Sequence, residues 1–215
     1  MKKLLTKIWI YLLTKFGDIK CFKFPLFLVY DPDDYDVTGE KTHELMKILR
    51  TGDVVLRGYR NYLDGKFINI FGIPTKNTII GGDWSHGAVY VGKQKIIHAI
   101  AEGVSEISVI DYARCDRICV FRPKHKKYKN PATKKAKEFL KNNIPYDFFF
   151  SNGGSALYCF ELCKECYPTL NIPRYNIKKL FGLISKKNMV LAKSFIDSDD
   201  FELVFCYNPK FNINI

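Results

Sequence analysis

Residues 158–166 read YCFELCKEC, three cysteines within eight positions. They can share a metal, or one of them can act as a nucleophile while the others pack. The spacing Cys159-x3-Cys163-x2-Cys166 suits three thiolates on an iron–sulfur cubane. On a helix, however, the same spacing is i, i+4, i+7, the rhythm of a face turned to a core. A closed zinc site needs a fourth ligand, and no neighbouring His or Cys stands at finger-like spacing. Free cysteine is also among the most buried residue types. The expectation is no metal and no cofactor, with Cys163 and Cys166 in the core.

Cys159 differs from its companions by position. It follows the glycine-bearing stretch SNGG at the first turn of an expected helix, where unpaired N–H groups and the helix dipole favour an anion. A thiol in such a place, beside a histidine, can fall from a pKa of about 8.5 to below neutrality. Cys159 is therefore the candidate nucleophile, and it needs a base.

The chain has four histidines. His43 belongs to an N-terminal extension and His125 to a lysine-rich stretch, whereas His86 and His98 fall on two consecutive expected strands. With an odd-length connection around Gly92, these two project from one face of a hairpin as near-diagonal neighbours. One can then take the thiol proton while the other holds its tautomer.

The elements that must position these groups are legible from patterning. DVVLRGY, SHGAVYVG, KIIHAI and ICVFRP alternate or are β-branched, which predicts strands of a small antiparallel sheet. Asn130 and Pro131 signal a helix start, and Ala132, Ala136, Phe139 and Leu140 recur at helical spacing behind them. NNIPYDFFFSNGG is rich in breakers and predicts a loop. A second helix then starts near Tyr158 and stops before Pro168, and FELVFCYNPKF predicts a last strand. Residues 1–47 form an extension with a basic helix, an extended stretch, the acidic turn DPDDYD and a short helix over 42–49.

Bulk properties narrow the setting. A chain of 215 residues, 47% hydrophobic, suffices for one core. Seven scattered cysteines with no cleavable signal before them suit a reducing compartment and make structural disulfides unexpected. The N-terminal apolar run over 8–13 is too short to span a bilayer. As a helix it groups Leu4, Leu5, Ile8, Trp9, Leu12, Leu13 and Phe16, a face that suits packing on its own domain and, as an alternative, a cationic helix on a membrane. The placement expected is cytoplasmic, with attachment to a membrane periphery left open. Of the net charge of +12, much sits in residues 122–141, where nine Lys and Arg face one acid, Glu138. Without interleaved aromatics this suits a solvated helix face better than nucleic acid.

Together GDVVL (52–56), WSHGAVYVG (84–92), IIHAIAEGV (96–104), PYDFFF (145–150) and YCFELC (158–163) resemble the circularly permuted papain-like hydrolases of the YiiX/YaeF type. That group is related to the NlpC-type cell-wall peptidases and to lecithin:retinol acyltransferase. The resemblance covers roughly residues 50–205. It implies an α+β fold, a small antiparallel sheet against helices with the cysteine at a helix N-terminus, in a hydrolase domain over 48–215. It carries the nucleophile to Cys159, the catalytic histidine to His86 and the third polar residue to His98, with Glu102 as a nearby substitute. Tyr146, Ser85 and Glu102 fall among the substrate contacts, and Phe160 stands where relatives often have serine. The implied activity is cleavage of an amide or ester through an acyl-enzyme, on a cell-wall peptide or a lipid or N-acyl group. The alternatives are an acyltransferase with the same site, or a non-catalytic adaptor that uses the basic stretch over 122–141 on an anionic surface, nucleic acid or membrane; a membrane-surface or cell-wall contact is left open and nucleic acid is the less expected partner.

Overall fold

The computed structural model describes residues 35–59, 84–147, 150, 155–177, 187–209 and 213–214, and before them positions 4, 7, 8, 11, 19–21 and 28–30. In chain order the elements are β1 (Ile19–Cys21), β2 (Leu28–Tyr30), α1 (Gly39–Ile48), β3 (Val54–Gly58), β4 (His86–Gly92), β5 (Lys95–Ile100) and β6 (Gly103–Ser108). There follow α2 (Val109–Tyr112), β7 (Arg117–Pro123), α3 (Lys129–Lys141), α4 (Cys159–Glu165), β8 (Tyr175–Ile177), β9 (Lys187–Met189), α5 (Ala192–Ile196), β10 (Phe201–Asn208) and β11 (Ile213–Asn214). The central sheet has seven strands in the order β11-β10-β7-β3-β4-β5-β6, and every pairing in it is antiparallel.

Two apolar layers sandwich this sheet, as the period-2 alternation of its strands requires. On one side Val54, Leu56, Val89 and Ile97 meet α3 and α4 through Ala132, Ala136, Phe160 and Cys163. On the other, Val55, Ala88, Ile96 and Val120 meet α1 and α2 through Leu45, Val109 and Tyr112. Cys159, Cys163 and Cys166 are all buried in the first layer, so the cysteine rhythm is a helix face turned inward.

Asp53, fully buried just before β3, gathers the start of the sheet. Its Oδ1 accepts from Arg122 Nε at 2.9 Å, and its Oδ2 accepts from Arg122 Nη2 at 2.7 Å and from the Arg50 N–H at 2.8 Å. Arg122 Nη2 also donates to the Ile48 carbonyl at 2.8 Å, which ties the end of α1 to β7. Beside this pair the Tyr167 hydroxyl donates to the Gly52 carbonyl, and Gly52 adopts φ +83, where a Cβ would collide with Lys129 at 2.7 Å. The GD of GDVVL is thus a structural joint, a role that its sequence pattern did not announce.

Several expectations change. Cys119 and Cys206 face each other across β7 and β10 and form a disulfide, contrary to the absence read from scattered cysteines. Cysteines 87 apart in sequence become cross-strand partners only once the sheet register is known. Helix α3 begins at Lys129, because the 3-10 turn over Lys126–Tyr128 runs directly into it. Pro131 therefore sits inside the first turn, where no N–H has a helical partner to lose. Helix α1 starts at Gly39, earlier than expected, with Thr38 Oγ1 accepting from the Lys41 N–H. The sheet gains β6 and β11, whose polar sequences GVSEIS and IN hid them.

Arg122 leaves the expected solvated basic face and is buried. Leu4 and Ile8 are 63% and 47% exposed, so at these positions the N-terminal helix is not packed on the domain. Leu5, Trp9, Leu12, Leu13, Phe16, Phe148, Phe149 and most of DPDDYD lie outside the described residues. Among the described residues no helix is long and apolar enough to cross a membrane.

Breaking a buried pair strands the remaining charge, typically at about 3–5 kcal/mol. Asp53→Asn should therefore lower the unfolding free energy obtained from urea titration by an amount in that range, and a free energy equal to that of the wild type would show that the joint is dispensable.

Candidate active site

Helix α4 begins where its sequence lets it. The segment before it is bracketed by two hydrogen bonds, Leu157 N–H to the Pro145 carbonyl at 3.0 Å and Asp147 N–H to the Leu157 carbonyl at 3.3 Å. Tyr158 is the N-cap, and its buried hydroxyl accepts from the Val190 N–H at 2.8 Å. Cys159 is then the first helical residue, 5% exposed. Its sulfur faces the backbone N–H groups of Gly87, of Phe160 and of Cys159 itself. Gly87 is the second residue of β4, so the helix N-terminus meets the strand at its first residues, and the first is His86. A Cβ at Gly87 would lie 2.8 Å from the Phe160 ring and 3.4 Å from Cys163 Sγ, which explains why this position admits so close an approach.

The histidines come together through strand register. In the β4–β5 pair Ala88 lies opposite His98, which makes His86 the diagonal neighbour of His98 on one face. His86 Nε2 and His98 Nδ1 are 3.0 Å apart, and the rings meet edge to face at 5.2 Å between centroids. Tyr112 backs both rings, 5.9 Å from His86 and 6.0 Å from His98, and anchors itself by donating its hydroxyl to the Val55 carbonyl at 3.0 Å.

Electrostatics depart from the expected low-pKa thiol. Burial pushes the Cys159 thiol up to about 11, against the pull of the N–H groups of Gly87, Phe160 and Cys159 and of the Arg57 charge. The helix start does favour the anion, but enclosure outweighs it. His98, 3% exposed, is pushed down to about 3, first by burial and then by Arg57, and stays neutral. Burial and then the Asp147 carboxylate raise Glu161 to about 7, and its Oε2 is buried without a partner.

The remaining expected residues distribute as follows. Tyr146 lies beside Cys159, with burial and then that cysteine holding its hydroxyl protonated. Ser85 extends the β3–β4 ladder: its N–H donates to the Arg57 carbonyl at 3.0 Å and its hydroxyl to the same oxygen at 3.4 Å. Glu102 is exposed in the turn between β5 and β6, and among the described residues no hydrogen bond or ion pair joins it to either histidine. Arg57, opposite His86 in the β3–β4 pair, is part of the same constellation and was missed. The signal was available, since alternation along DVVLRGY puts Arg57 on the face of buried Val55.

A cysteine at a helix N-terminus against an antiparallel sheet that carries a histidine pair, with the histidine strands earlier in the chain than the cysteine helix, is the α+β arrangement of a circularly permuted papain-like fold. The chain belongs to the permuted papain-like amidases of the YaeF/YiiX type, the C92 family, whose model matches residues 48–205, and it is an enzyme of that amidase class. Among solved structures, the metalloprotein yiiX from Escherichia coli O157:H7 is similar in fold, with a TM-score of 0.59 and 17% identity over 75% of this chain and 99% of that one. No curated protein matches this chain. Among the described residues no group of three or more His, Cys, Asp or Glu side chains gathers that could hold a metal ion, and the two histidines lie within hydrogen-bond distance of each other.

The histidine shift has a consequence for stability. Folded His98 refuses a proton that the unfolded chain accepts near pH 6.5, so its contribution is complete above that pH and is lost as pH falls towards 3. From pH 7 to 5 the loss is about 2 kcal/mol for one such group. Glu161 works in the opposite sense: its contribution is present below pH 4.5 and lost as pH rises through about 7. A comparison with His98→Gln isolates the histidine. In urea unfolding the variant should lose less stability than the wild type between pH 7 and 5, by about 2 kcal/mol, and equal losses would show that His98 is not held neutral.

Proposed function

We propose that Cys159 is the nucleophile and His86 the base of this amidase, acting on an amide of a peptide or of an N-acyl lipid. The observation that carries the reading is the meeting of the Cys159 thiol with the start of β4, where the Gly87 N–H faces the sulfur and the adjoining His86 is bonded to His98. A thiol raised to about 11 rests protonated, so His86 removes its proton as the sulfur attacks rather than holding a standing ion pair.

Tautomers follow from the histidine bond. For His86 Nδ1 to accept the thiol proton, Nε2 must carry hydrogen and donate to Nδ1 of His98. A neutral His98 has that lone pair free, and it orients the ring without competing for the proton. Attack forms the sulfur–carbon bond and places negative charge on the carbonyl oxygen. The N–H groups at the start of α4 and the protonated Tyr146 hydroxyl are the donors at hand. Collapse expels the amine with the proton from His86, and water then releases the acyl group.

Loss of a nucleophile or of a proton-transfer group costs about 10²-fold or more in rate. Cys159→Ala should abolish amide turnover with the urea midpoint retained. In the wild type, iodoacetamide should alkylate Cys159 ahead of Cys163 and Cys166, with a rate that climbs from neutral to alkaline pH and drops in His86→Ala. Turnover by Cys159→Ala, or equal labelling of the three cysteines, would refute the assignment.

A second contact has its own support. Leu4, Ile8 and Tyr11 are exposed at helical spacing next to Lys7, which suits an anionic surface. Full-length protein should sediment with vesicles containing phosphatidylserine and not with neutral ones, and Ile8→Glu should weaken that binding. Equal sedimentation with both vesicles would rule the contact out.

A further inference from the structure

Arg57 carries more than packing. It faces His86 across β3 and β4, so its side chain leaves the sheet on the face that holds the histidine pair. The guanidinium lies over the Tyr112 ring at 4.5 Å, the ring that also backs His86 and His98, and 5.4 Å from that of Tyr59. One nitrogen, Nη1, donates to the Tyr112 carbonyl at 3.3 Å. The Nε–H is buried and has no acceptor. Among the described residues no carboxylate pairs with Arg57, whereas buried Arg122 on the neighbouring strand has Asp53 on two of its nitrogens.

A half-buried cation with no counter-ion among the described residues carries a desolvation cost, and two tyrosine faces repay only part of it. Packing on Tyr112 would be served as well by an uncharged side chain of similar length. The charge itself reaches the reacting groups, since it acts on both Cys159 and His98. What the position lacks is an anion, and a guanidinium with an unused N–H is suited to carboxylate or phosphate oxygens.

We propose that Arg57 is the specificity-determining residue of this site and binds an anionic oxygen group of the substrate, a carboxylate or a phosphate, close to the bond that is cut. The inference rests on the reading of Cys159 as nucleophile and adds a substrate class to it: acyl compounds with a negative group beside the scissile amide. The bound anion then supplies the counter-charge that the described residues do not give Arg57.

Iodoacetate and iodoacetamide test this on the full chain, because they transfer nearly the same group to sulfur and differ by a carboxylate. The ratio of their rates at Cys159, followed by peptide mass, cancels any effect of Arg57 on the thiol itself. It should be about tenfold higher in the wild type than in Arg57→Gln, with Arg57→Lys between, which is the scale of one charge-assisted contact. Equal ratios in wild type and Arg57→Gln, with labelling still dependent on His86, would overturn the role of Arg57 alone. Labelling independent of His86, with the ratio still set by Arg57, would sink the nucleophile assignment and leave the anion site standing.

If Arg57→Gln does not fold, competition in the wild type decides. Acetate or inorganic phosphate, at constant ionic strength against chloride, should slow iodoacetate at Cys159, and the stronger competitor names the group. No protection by either would overturn the proposal.

Discussion

The pairing register of β4 and β5 is the constraint on which the site hangs. The two strands turn through Lys93 and Gln94, both at positive φ, after Gly92 at φ +90. A bulge between Tyr90 and Gly92 shifts the register, so that an odd number of residues separates Tyr90 from its partner Ile96. That parity brings His86 and His98 to the same face. A slip of one residue would send His98 to the face covered by α4 and leave His86 facing apolar Ile97 or Ala99. The turn at positive φ and the bulge therefore fix the placement of the histidine pair.

Around that hairpin the protein treats charge in two opposite ways within one strand. At the start of β3 a carboxylate and a guanidinium satisfy each other almost completely out of water, and the pair joins α1, β3 and β7. Near the other end of β3 a second guanidinium rests on aromatic faces with an N–H unspent. Between Arg57 and the sulfur, the buried groups stay neutral: the thiol keeps its proton, His98 refuses one and Tyr146 keeps its own. A site of neutral donors and acceptors around one fixed cation responds strongly to any negative charge that forms or arrives there, because little solvent screens it.

Much of this was legible in the residue pattern, for local reasons. The alternation of SHGAVYVG and KIIHAI announces the strands, the glycine loop before Tyr158 announces the helix start, and the i, i+4, i+7 cysteines announce a buried face. What stayed hidden depends on pairing between distant strands. Cys119 and Cys206 become neighbours only when β10 docks on β7, and Asp53 finds Arg122 by the same route. The thiol shows a different gap. A helix N-terminus argues for a low pKa, but how far enclosure by Phe160, Tyr146 and the sheet opposes it cannot be read from spacing.

The order of elements along the chain also bears on how the enzyme is made. Strands β3 to β7 are contiguous in sequence and lie side by side as β7-β3-β4-β5-β6, and all of them precede Cys159. On the ribosome the histidine hairpin and its flanking strands are therefore synthesised before Cys159. Chains fold from the N-terminal side as they emerge. The histidine pair can be assembled while Cys159 is still inside the exit tunnel, and β10, which follows the cysteine in the chain, extends a sheet whose histidine strands are already paired.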